Sequence, residues 1–115
     1  MRARTVFRSV FRLVAPTLVV FATHSAIAGE PVKGRQKAVK CQVCHGYDGV
    51  GKNPEVPHIA GESTVYLERQ LKAFRSGTRK HPQMSIVARD LSDEDIADLA
   101  AYYAAIKIRV EVPKF

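Results

Sequence analysis

Two stretches of the chain carry apolar residues at helical spacing between clear boundaries. In the first, Ser63 or Thr64 offers an N-terminal cap, and Gly77 is the residue type at which helices commonly end. Apolar side chains recur three and four positions apart between these boundaries, which predicts an amphipathic helix. The residues of this run are Val65, Tyr66, Leu67, Gln70, Leu71 and Phe74.

The second stretch begins at Ser92, a suitable N-cap, and Asp95 follows three residues later. Acidic residues in this first turn also favour the positive end of the helix dipole. An apolar stripe then continues along the segment, so we expect a final helix with one buried face. The stripe consists of Ile96, Leu99, Ala100, Tyr103 and Ile106.

A weaker pattern precedes these two helices. Residues from Val32 to Cys44 mix apolar and basic side chains with modest periodicity, and we interpret them as a first helix. Segment 46–61 is rich in Gly, Pro and Asn, and segment 78–91 is polar, so both are predicted to be loops. No segment gives a clear strand signal. The sequence therefore predicts an all-α fold with three main helices.

The N-terminal region has a different character. A basic stretch of 12 residues is followed by an apolar stretch that ends in the small-x-small pattern Ala26-Ile27-Ala28. This arrangement predicts a secretory signal peptide over residues 1–28, cleaved to leave one domain over residues 29–115 in the periplasm. An uncleaved membrane anchor would need roughly 20 apolar residues. The stretch is shorter and Pro16 interrupts it, so we expect an exported, soluble domain without a stable membrane span.

Charge changes this picture only slightly. The chain holds 18 Lys and Arg against 11 Asp and Glu, but the predicted signal peptide accounts for four arginines and no acid. The exported domain is therefore modestly basic, and we expect no nucleic-acid partner. Its 87 residues would bury a limited core, and domains of this size usually need a staple. Only Cys41 and Cys44 are available as cysteines.

The residues Cys41, Cys44 and His45 form the pattern C-x-x-C-H, through which c-type haem is attached. Two cysteines three positions apart lie on one side of a helical turn, so both sulfurs can reach the two vinyl groups along one edge of a porphyrin. The imidazole of the next residue can then bind the iron. We therefore predict one covalent haem c, with thioethers from Cys41 and Cys44 and with His45 as an axial iron ligand.

Two other kinds of site use similar residues. Thiol–disulfide redox sites also contain C-x-x-C, but they usually follow a strand in an α/β unit, and the sequence predicts no strand. A zinc site could use both cysteines, His45 and one further histidine, but zinc sites commonly present a second ligand pair at short spacing. His58 and His81 are isolated from each other, so haem is the better interpretation.

Met84 is the only methionine after the predicted signal peptide. It lies in a predicted loop well downstream of His45, where the chain could fold over the opposite haem face. A thioether opposite histidine raises the haem potential and suits electron transfer. Met84 could instead fill the core, and His81 or His58 could be the ligand. Because Met84 lies in a polar loop, we predict that it is the second axial ligand.

Several blocks of the sequence resemble class I c-type cytochromes, and in particular one half of the di-haem cytochromes c of the c-four type. The blocks are Cys41–Gly46, Val56–Gly61, Tyr66-Leu67 with Gln70-Leu71, Phe74–Gly77, His81–Met84 and Leu91–Tyr103. The resemblance implies the small class I cytochrome c fold, with three main helices and loops wrapped around one haem. A second C-x-x-C-H is absent, so we expect a short single-haem bacterial form. Residues 107–115 lie outside the resemblance.

The resemblance also implies roles for individual residues. The carbonyl of Pro57 would accept a hydrogen bond from the imidazole of His45 and so fix its orientation. Gly34 would let the first and last helices cross closely. Tyr102 or Tyr103 would supply the aromatic side chain at that crossing.

Tyr66 and Gln70 are further candidates for contact with the cofactor. By resemblance they are plausible neighbours of a haem propionate. The alternative for both is an ordinary packing role.

Basic residues recur at three-residue spacing along the second predicted helix, and two more lie in the loop that comes after it. It could form a docking patch for an acidic redox partner, or it could be an ordinary solvated helix face. The residues are Arg69, Lys72, Arg75, Arg79 and Lys80.

Two strong axial ligands would leave no open site for substrate, so the sequence predicts a single-electron carrier and not an enzyme. Its partners would be a redox protein donor and acceptor. One alternative is a dedicated cytochrome subunit of a dehydrogenase or oxidase complex. Another is a haem gas sensor or peroxidase-like protein, which would need a vacant or labile distal position. A thiol oxidoreductase would carry free thiols or a disulfide in place of haem.

Overall fold

The structure, a computed structural model, describes residues 28–115. The predicted signal peptide lies outside these residues except for Ala28. The described residues form five α-helices and no strand, which confirms the all-α prediction. The helices are α1 (Pro31–Lys37), α2 (Gln42–His45), α3 (Thr64–Ser76), α4 (Met84–Ala88) and α5 (Asp93–Ala105).

Helix α3 has the boundaries that its sequence predicts. The hydroxyl of Ser63 accepts a hydrogen bond from the backbone N–H of Tyr66, at 3.2 Å. Gly77 ends the helix in the left-handed conformation, with φ 79°, which a residue without Cβ adopts at little cost. Leu67 and Phe74 are the buried residues of this helix.

Helix α5 begins with the predicted capping box. Ser92 Oγ accepts from the backbone N–H of Asp95, and Asp95 Oδ2 accepts from the backbone N–H of Ser92, both at 3.0 Å. The predicted stripe is buried from its first residue, Ile96, to Tyr103. Ile106 follows the helix as its C-cap and is half-buried. Local sequence signals therefore define this helix correctly.

The prediction of one continuous helix from Val32 to Cys44 is wrong. Helix α1 ends at Lys37, because Ala38 has ψ 2°, far from the helical value of about −42°. A turn in which Cys41 N–H donates to the carbonyl of Ala38, at 2.9 Å, leads into the separate helix α2. Ala38 is fully buried in the core, and this tertiary constraint has no signature in the local periodicity.

The prediction of a loop throughout residues 78–91 is also wrong, since it contains α4. The first helical hydrogen bond of this region is donated by the N–H of Ser85 to the carbonyl of His81, at 3.0 Å. Helix α4 packs on α3, and Ala88 is fully buried. Such a short helix is stabilised by this packing and not by its own sequence.

Helices α1 and α5 cross at very short distance, as the resemblance implied. A Cβ atom placed on Gly34 would lie 1.9 Å from the carbonyl oxygen of Asp98 and 2.7 Å from Tyr102 Cβ. Only glycine can therefore occupy this position without separating the helices. Tyr102 is the aromatic residue at the crossing, whereas Tyr103 is buried in the core.

The core joins α1, α3 and α5 and reaches the region of the cysteines. Its buried members are Ala38, Leu67, Leu99, Ala100 and Tyr103. Cys41 and Ile59 pack against its edge. The turn that carries the C-x-x-C-H residues is therefore attached directly to the packed centre of the domain.

One buried charge at the α1–α5 interface was not predicted. Asp98 is only 2% exposed. Its carboxylate accepts hydrogen bonds from the backbone N–H of Glu30 and from Lys37 Nζ, both at 2.7 Å. The backbone hydrogen bond, together with Lys37, lowers the pKa of Asp98, so this side chain stays ionised and ties the start of α1 to α5.

Among residues 28–115, every helix is too short or too polar to cross a bilayer.

Candidate functional site

The site begins at the turn formed by Cys41 and α2. The backbone N–H of His45 donates to the carbonyl of Cys41 at 2.9 Å, and that of Cys44 donates to the same carbonyl at 3.2 Å. No disulfide joins the two cysteines; Cys41 is half-buried and Cys44 is exposed. The structure therefore brings the two thiols and the imidazole together on one turn.

His45 is buried and oriented by a single backbone group. Its Nδ1 lies 3.0 Å from the carbonyl oxygen of Pro57, and the residue is 8% exposed. A carbonyl can only accept, so Nδ1 carries a proton, and in the neutral form of the ring Nε2 then presents a lone pair. Neutral imidazole with this tautomer is a metal ligand, and a carbonyl on the other ring nitrogen is the usual support for one.

The loop between His45 and Pro57 is held at several points. The N–H of Lys52 donates to the carbonyl of Cys44 at 2.9 Å, and the N–H of Gly51 donates to Nδ1 of His58 at 2.8 Å. His58 therefore serves as a hydrogen-bonding residue of the loop. These bonds fix the position of Pro57 relative to the turn that carries His45.

Two tyrosines of α5 hold the residues that follow His45, and sequence analysis did not assign them this role. The hydroxyl of Tyr103 donates to the carbonyl of Gly46 at 3.2 Å, and that of Tyr102 donates to the carbonyl of Tyr47 at 2.7 Å. The partners are 57 and 55 positions apart in the chain. The pattern Tyr-Tyr at the end of an apolar stripe was the only available signal.

The pKa of the Cys41 thiol bears on whether the site could be a thiol–disulfide redox site. Burial raises the pKa of the Cys41 thiol to about 11, although Lys40 acts in the opposite direction. The thiol is therefore protonated at neutral pH. Thiol–disulfide oxidoreductases rely on a lowered pKa to generate thiolate, so this environment does not favour that reaction.

Met84 is the first residue of α4 and is partly buried. Its backbone N–H donates to Nδ1 of His81 at 3.3 Å. His81 itself is exposed, and its ring contacts Phe74 edge-on. The predicted methionine ligand thus lies on a different element from His45 and is held by its own local contacts.

Tyr66 and Gln70 both lie on α3, the helix that precedes the Met84 segment. Tyr66 is 38% exposed, and the guanidinium of Arg69 lies 5.9 Å from the centre of its ring. Gln70 Oε1 accepts a hydrogen bond from Arg79. The amide nitrogen of Gln70 donates to no described residue and can therefore donate to another group.

The five basic residues of the predicted patch do not have equal surroundings. Arg75 forms an ion pair with Asp93 at 2.6 Å and donates to the carbonyl of Leu91. Lys72 pairs with Glu68 at 3.2 Å. Among the residues that the structure describes, Arg69, Arg79 and Lys80 form no ion pair.

The residues present fit an iron porphyrin. Two thiols and an imidazole whose Nδ1–H donates to a carbonyl lie on one turn, and a thioether side chain lies on α4. Within residues 28–115 no group of three His, Cys, Asp or Glu side chains could hold a metal ion.

The chain belongs to the cytochrome c family, since the family model for cytochrome c matches residues 31–106. It is therefore an electron-transport protein with one haem c. The match begins at the first residue of α1 and ends one residue after α5. This confirms the resemblance, the cofactor and the fold expected from the sequence.

Curated relatives place the chain near short and c-four-type cytochromes. It is 47% identical over 81 residues to cytochrome c-554(548) of Halomonas halodenitrificans, a match that covers 68% of this chain and 98% of that protein. It is 40% identical over 83 residues to cytochrome c4 of Pseudomonas aeruginosa, covering 72% of this chain and 41% of the relative. The chain thus spans about two-fifths of the length of that cytochrome c4.

Solved structures give the same result. Reduced cytochrome c4 from Pseudomonas stutzeri matches with a TM-score of 0.66 at 35% identity, over 70% of this chain and 47% of that chain. Thiosulfate dehydrogenase from Marichromatium purpuratum matches with a TM-score of 0.62 at 36% identity, over 66% of this chain and 18% of that one. The described domain has the class I cytochrome c fold.

Proposed function

We propose that the chain is a periplasmic single-electron carrier, in which Cys41 and Cys44 bind haem c covalently and His45 and Met84 are the axial ligands. The observation that supports this most strongly is the 3.0 Å contact between His45 Nδ1 and Pro57 O. It selects the tautomer whose Nε2 can bind iron, on the same turn as both thiols. Haem c supplies reversible one-electron chemistry when bound.

The proposed role of the protein is to hold both ligands in place. Pro57 fixes the ring of His45, and the loop that contains Pro57 is itself fixed by bonds to α2. Two permanent ligands would keep the iron coordination unchanged between redox states. They would also leave no position for a substrate, which supports a carrier and not an enzyme.

Covalent attachment is tested on the purified, haem-loaded protein. We expect acid-acetone to leave the pigment on the protein, and mass spectrometry to show the mass of one haem. The double variant Cys41→Ala, Cys44→Ala should carry no covalent haem. Pigment that extracts freely from the unaltered protein would refute the proposed attachment.

The assignment of Met84 is tested by absorption spectroscopy of Met84→Ala. The weak red band of oxidised sulfur–iron ligation should disappear, and the reduced variant should bind carbon monoxide. Ile86→Ala is the matched control, because Ile86 lies on the same helix and is 63% exposed. Rapid carbon monoxide binding by the unaltered reduced protein would instead support a gas sensor or peroxidase-like function.

We also propose that Tyr66 and Gln70 contact a haem propionate. The support is the amide nitrogen of Gln70, which donates to no described residue, whereas the amide oxygen accepts from Arg79. Gln70→Leu should change the pH dependence of the reduction potential, since it removes a donor to an ionisable carboxylate. The same potential at every pH would refute the contact.

A second candidate function is a dedicated cytochrome subunit of a dehydrogenase. It is favoured by a relative from Stutzerimonas stutzeri named thiosulfate dehydrogenase electron acceptor, 40% identical over 70 residues and matched over 32% of its length. Stable co-purification of a larger redox enzyme with the native protein would support a subunit. Isolation of the cytochrome alone would support a free carrier.

We propose that the basic residues near α3 attract an acidic redox partner. The strongest contribution should come from Arg69, Arg79 and Lys80, because the charges of Lys72 and Arg75 are partly neutralised by Glu68 and Asp93. Attraction of this kind raises the association rate and weakens as salt screens it. The docking surface is therefore smaller than the five-residue patch expected from sequence.

Electron transfer with a small anionic oxidant tests this surface. The rate with hexacyanoferrate(III) should fall as ionic strength rises, and the double variant Arg69→Gln, Lys80→Gln should show a lower rate and a weaker salt dependence. Lys107→Gln is the control with one charge removed elsewhere, because Lys107 is exposed and forms no ion pair with any described residue. If the double variant and the control lower the rate by the same amount per charge removed, only the net charge matters and the proposed surface is refuted.

We further propose export and cleavage after Ala28. The support is the basic, apolar and small-x-small order of the first 28 residues. N-terminal sequencing of the protein from periplasmic extracts should begin at Gly29. A chain that begins at Met1 and sediments with membranes would contradict cleavage.

A further inference from the structure

Helix α4 lacks the serine cap that starts the two longer helices. Ser63 and Ser92 each accept a hydrogen bond from the N–H three positions ahead, at 3.2 and 3.0 Å. In the Met84 segment, Gln83 directly precedes the helix and provides no side-chain cap; instead Nδ1 of His81, three positions before Met84, accepts from the N–H of Met84 at 3.3 Å. Histidine is not among the preferred capping residues. Sequence rules therefore give no indication of this contact.

A second pair of bonds makes this contact reciprocal. The N–H of His81 donates to Ser85 Oγ, and the N–H of Ser85 donates to the carbonyl of His81, both at 3.0 Å. Pro82 lies in the turn between His81 and the helix, where its ring fixes φ. The backbone around Met84 is thus held from both sides.

The imidazole of His81 is oriented by α3. Its ring lies edge-on to Phe74, with ring centroids 6.4 Å apart and planes at 72°. Phe74 is buried, and the guanidinium of Arg79 lies 4.5 Å from its centroid. A continuous series of contacts therefore runs from the last turn of α3 through His81 to the backbone of Met84.

We propose that His81 is a positioning residue for Met84. Its ring accepts a hydrogen bond from the Met84 N–H and contacts Phe74. These contacts fix the backbone from which the side chain of Met84 extends. The inference rests on the proposed function, in which Met84 binds the iron. It also gives His81 a role other than that of an iron ligand, which the sequence had left open.

The test measures how easily an external ligand displaces Met84. Binding of imidazole to the oxidised protein requires the Met84 segment to open, and loss of an N-cap costs about 1 kcal/mol. His81→Ala should therefore bind imidazole about fivefold more tightly. His81→Asn should restore nearly normal binding, because the asparagine oxygen can accept the same N–H.

Ser92→Ala is the matched control. It removes the same kind of side-chain acceptor from α5, so it should lower overall stability similarly but leave imidazole binding unchanged. If His81→Ala and Ser92→Ala have equal effects, or if His81→Ala has none, the inference is wrong. If His81→Asn behaves like His81→Ala, the ring has a different role, such as direct iron ligation, and the inference is also wrong.

Met84→Ala separates this inference from the proposed function. If the red sulfur–iron band survives in Met84→Ala, then Met84 is not the ligand and both proposals fail. If the band disappears in Met84→Ala while His81→Ala leaves imidazole binding unchanged, only the positioning role fails. If the band disappears and His81→Ala binds imidazole more tightly, both proposals are supported.

Discussion

Replacing Gly34 by alanine tests the helix crossing on which the fold depends. The added Cβ would lie 1.9 Å from the carbonyl oxygen of Asp98 and 2.6 Å from its carbonyl carbon. An ordinary C···O contact is about 3.3 Å or longer. Helices α1 and α5 would therefore have to separate by roughly 1.4 Å, because both groups belong to rigid backbone and no side chain can move aside.

The size of the effect follows from two opposing terms. Overpacking of a closely packed interface costs about 1–3 kcal/mol, and a clash between backbones belongs at the upper end. The higher helix propensity of alanine returns about 1 kcal/mol. We expect a net loss of about 2 kcal/mol in the free energy of unfolding, which corresponds to a Tm lowered by roughly 8–16 °C for a domain of this size.

The assay is thermal and guanidinium unfolding of the haem-loaded protein, followed by circular dichroism. Gln36→Ala is the matched control, because Gln36 is an exposed residue of the same helix. Substitutions of this kind usually change stability by less than about 0.5 kcal/mol. A Gly34→Ala protein that is as stable as the unaltered protein, or more stable, would refute the close crossing.

Three further predictions concern single contacts. Asp95 has its pKa lowered to about 2 by Lys37 and by the backbone of Ser92, against about 3.9 in an unfolded chain; its stabilising effect is therefore complete above about pH 4 and is lost as pH falls towards 2. Asp95→Asn should flatten the pH dependence of guanidinium unfolding in that window, and an unchanged slope would contradict the assignment. Tyr103→Phe removes the buried hydrogen bond to Gly46 and should cost about 1 kcal/mol, whereas a neutral effect in the same assay would show that this bond is not needed. Gly77→Ala should cost about 1 kcal/mol for its left-handed backbone, although no atom lies within 4 Å of the added Cβ; no loss of stability would argue against the left-handed conformation.

The two longer helices could be predicted from sequence because their boundaries are local. Ser63 and Ser92 each act on a residue three positions ahead, and Gly77 ends α3 by its own conformation. Such signals lie within one turn of the chain. The apolar residues of both helices also recur at regular spacing, so the buried residues of α5 could be predicted from that spacing alone.

The breaks in the first helix and in the 78–91 loop could not be predicted in the same way. Helix α1 ends where Ala38 enters the core, and α4 forms because it packs on α3. Both causes involve contacts with other elements. Local periodicity contains no information about them.

In the candidate site, too, residues that are close in sequence could be predicted and contacts between distant residues could not. Cys41, Cys44 and His45 are recognisable because they occupy one turn, and Pro57 could be assigned only by resemblance, since it lies 12 positions from His45. The bonds from α5 to Gly46 and Tyr47, and the buried charge of Asp98, join residues more than 50 positions apart. No pattern in the sequence indicated these contacts.

The bonds from Tyr102 and Tyr103 have a consequence for the order of events during biosynthesis. The C-x-x-C-H segment is synthesised before the last helix, whose tyrosines hold the residues that follow His45 and whose buried side chains pack next to Cys41. Until that helix is in place, the burial that raises the pKa of Cys41 is incomplete and its thiol is more accessible. The interior that buries Cys41 is completed only by the end of the domain, so under the proposed function the Cys41 thioether would form most readily before folding is complete.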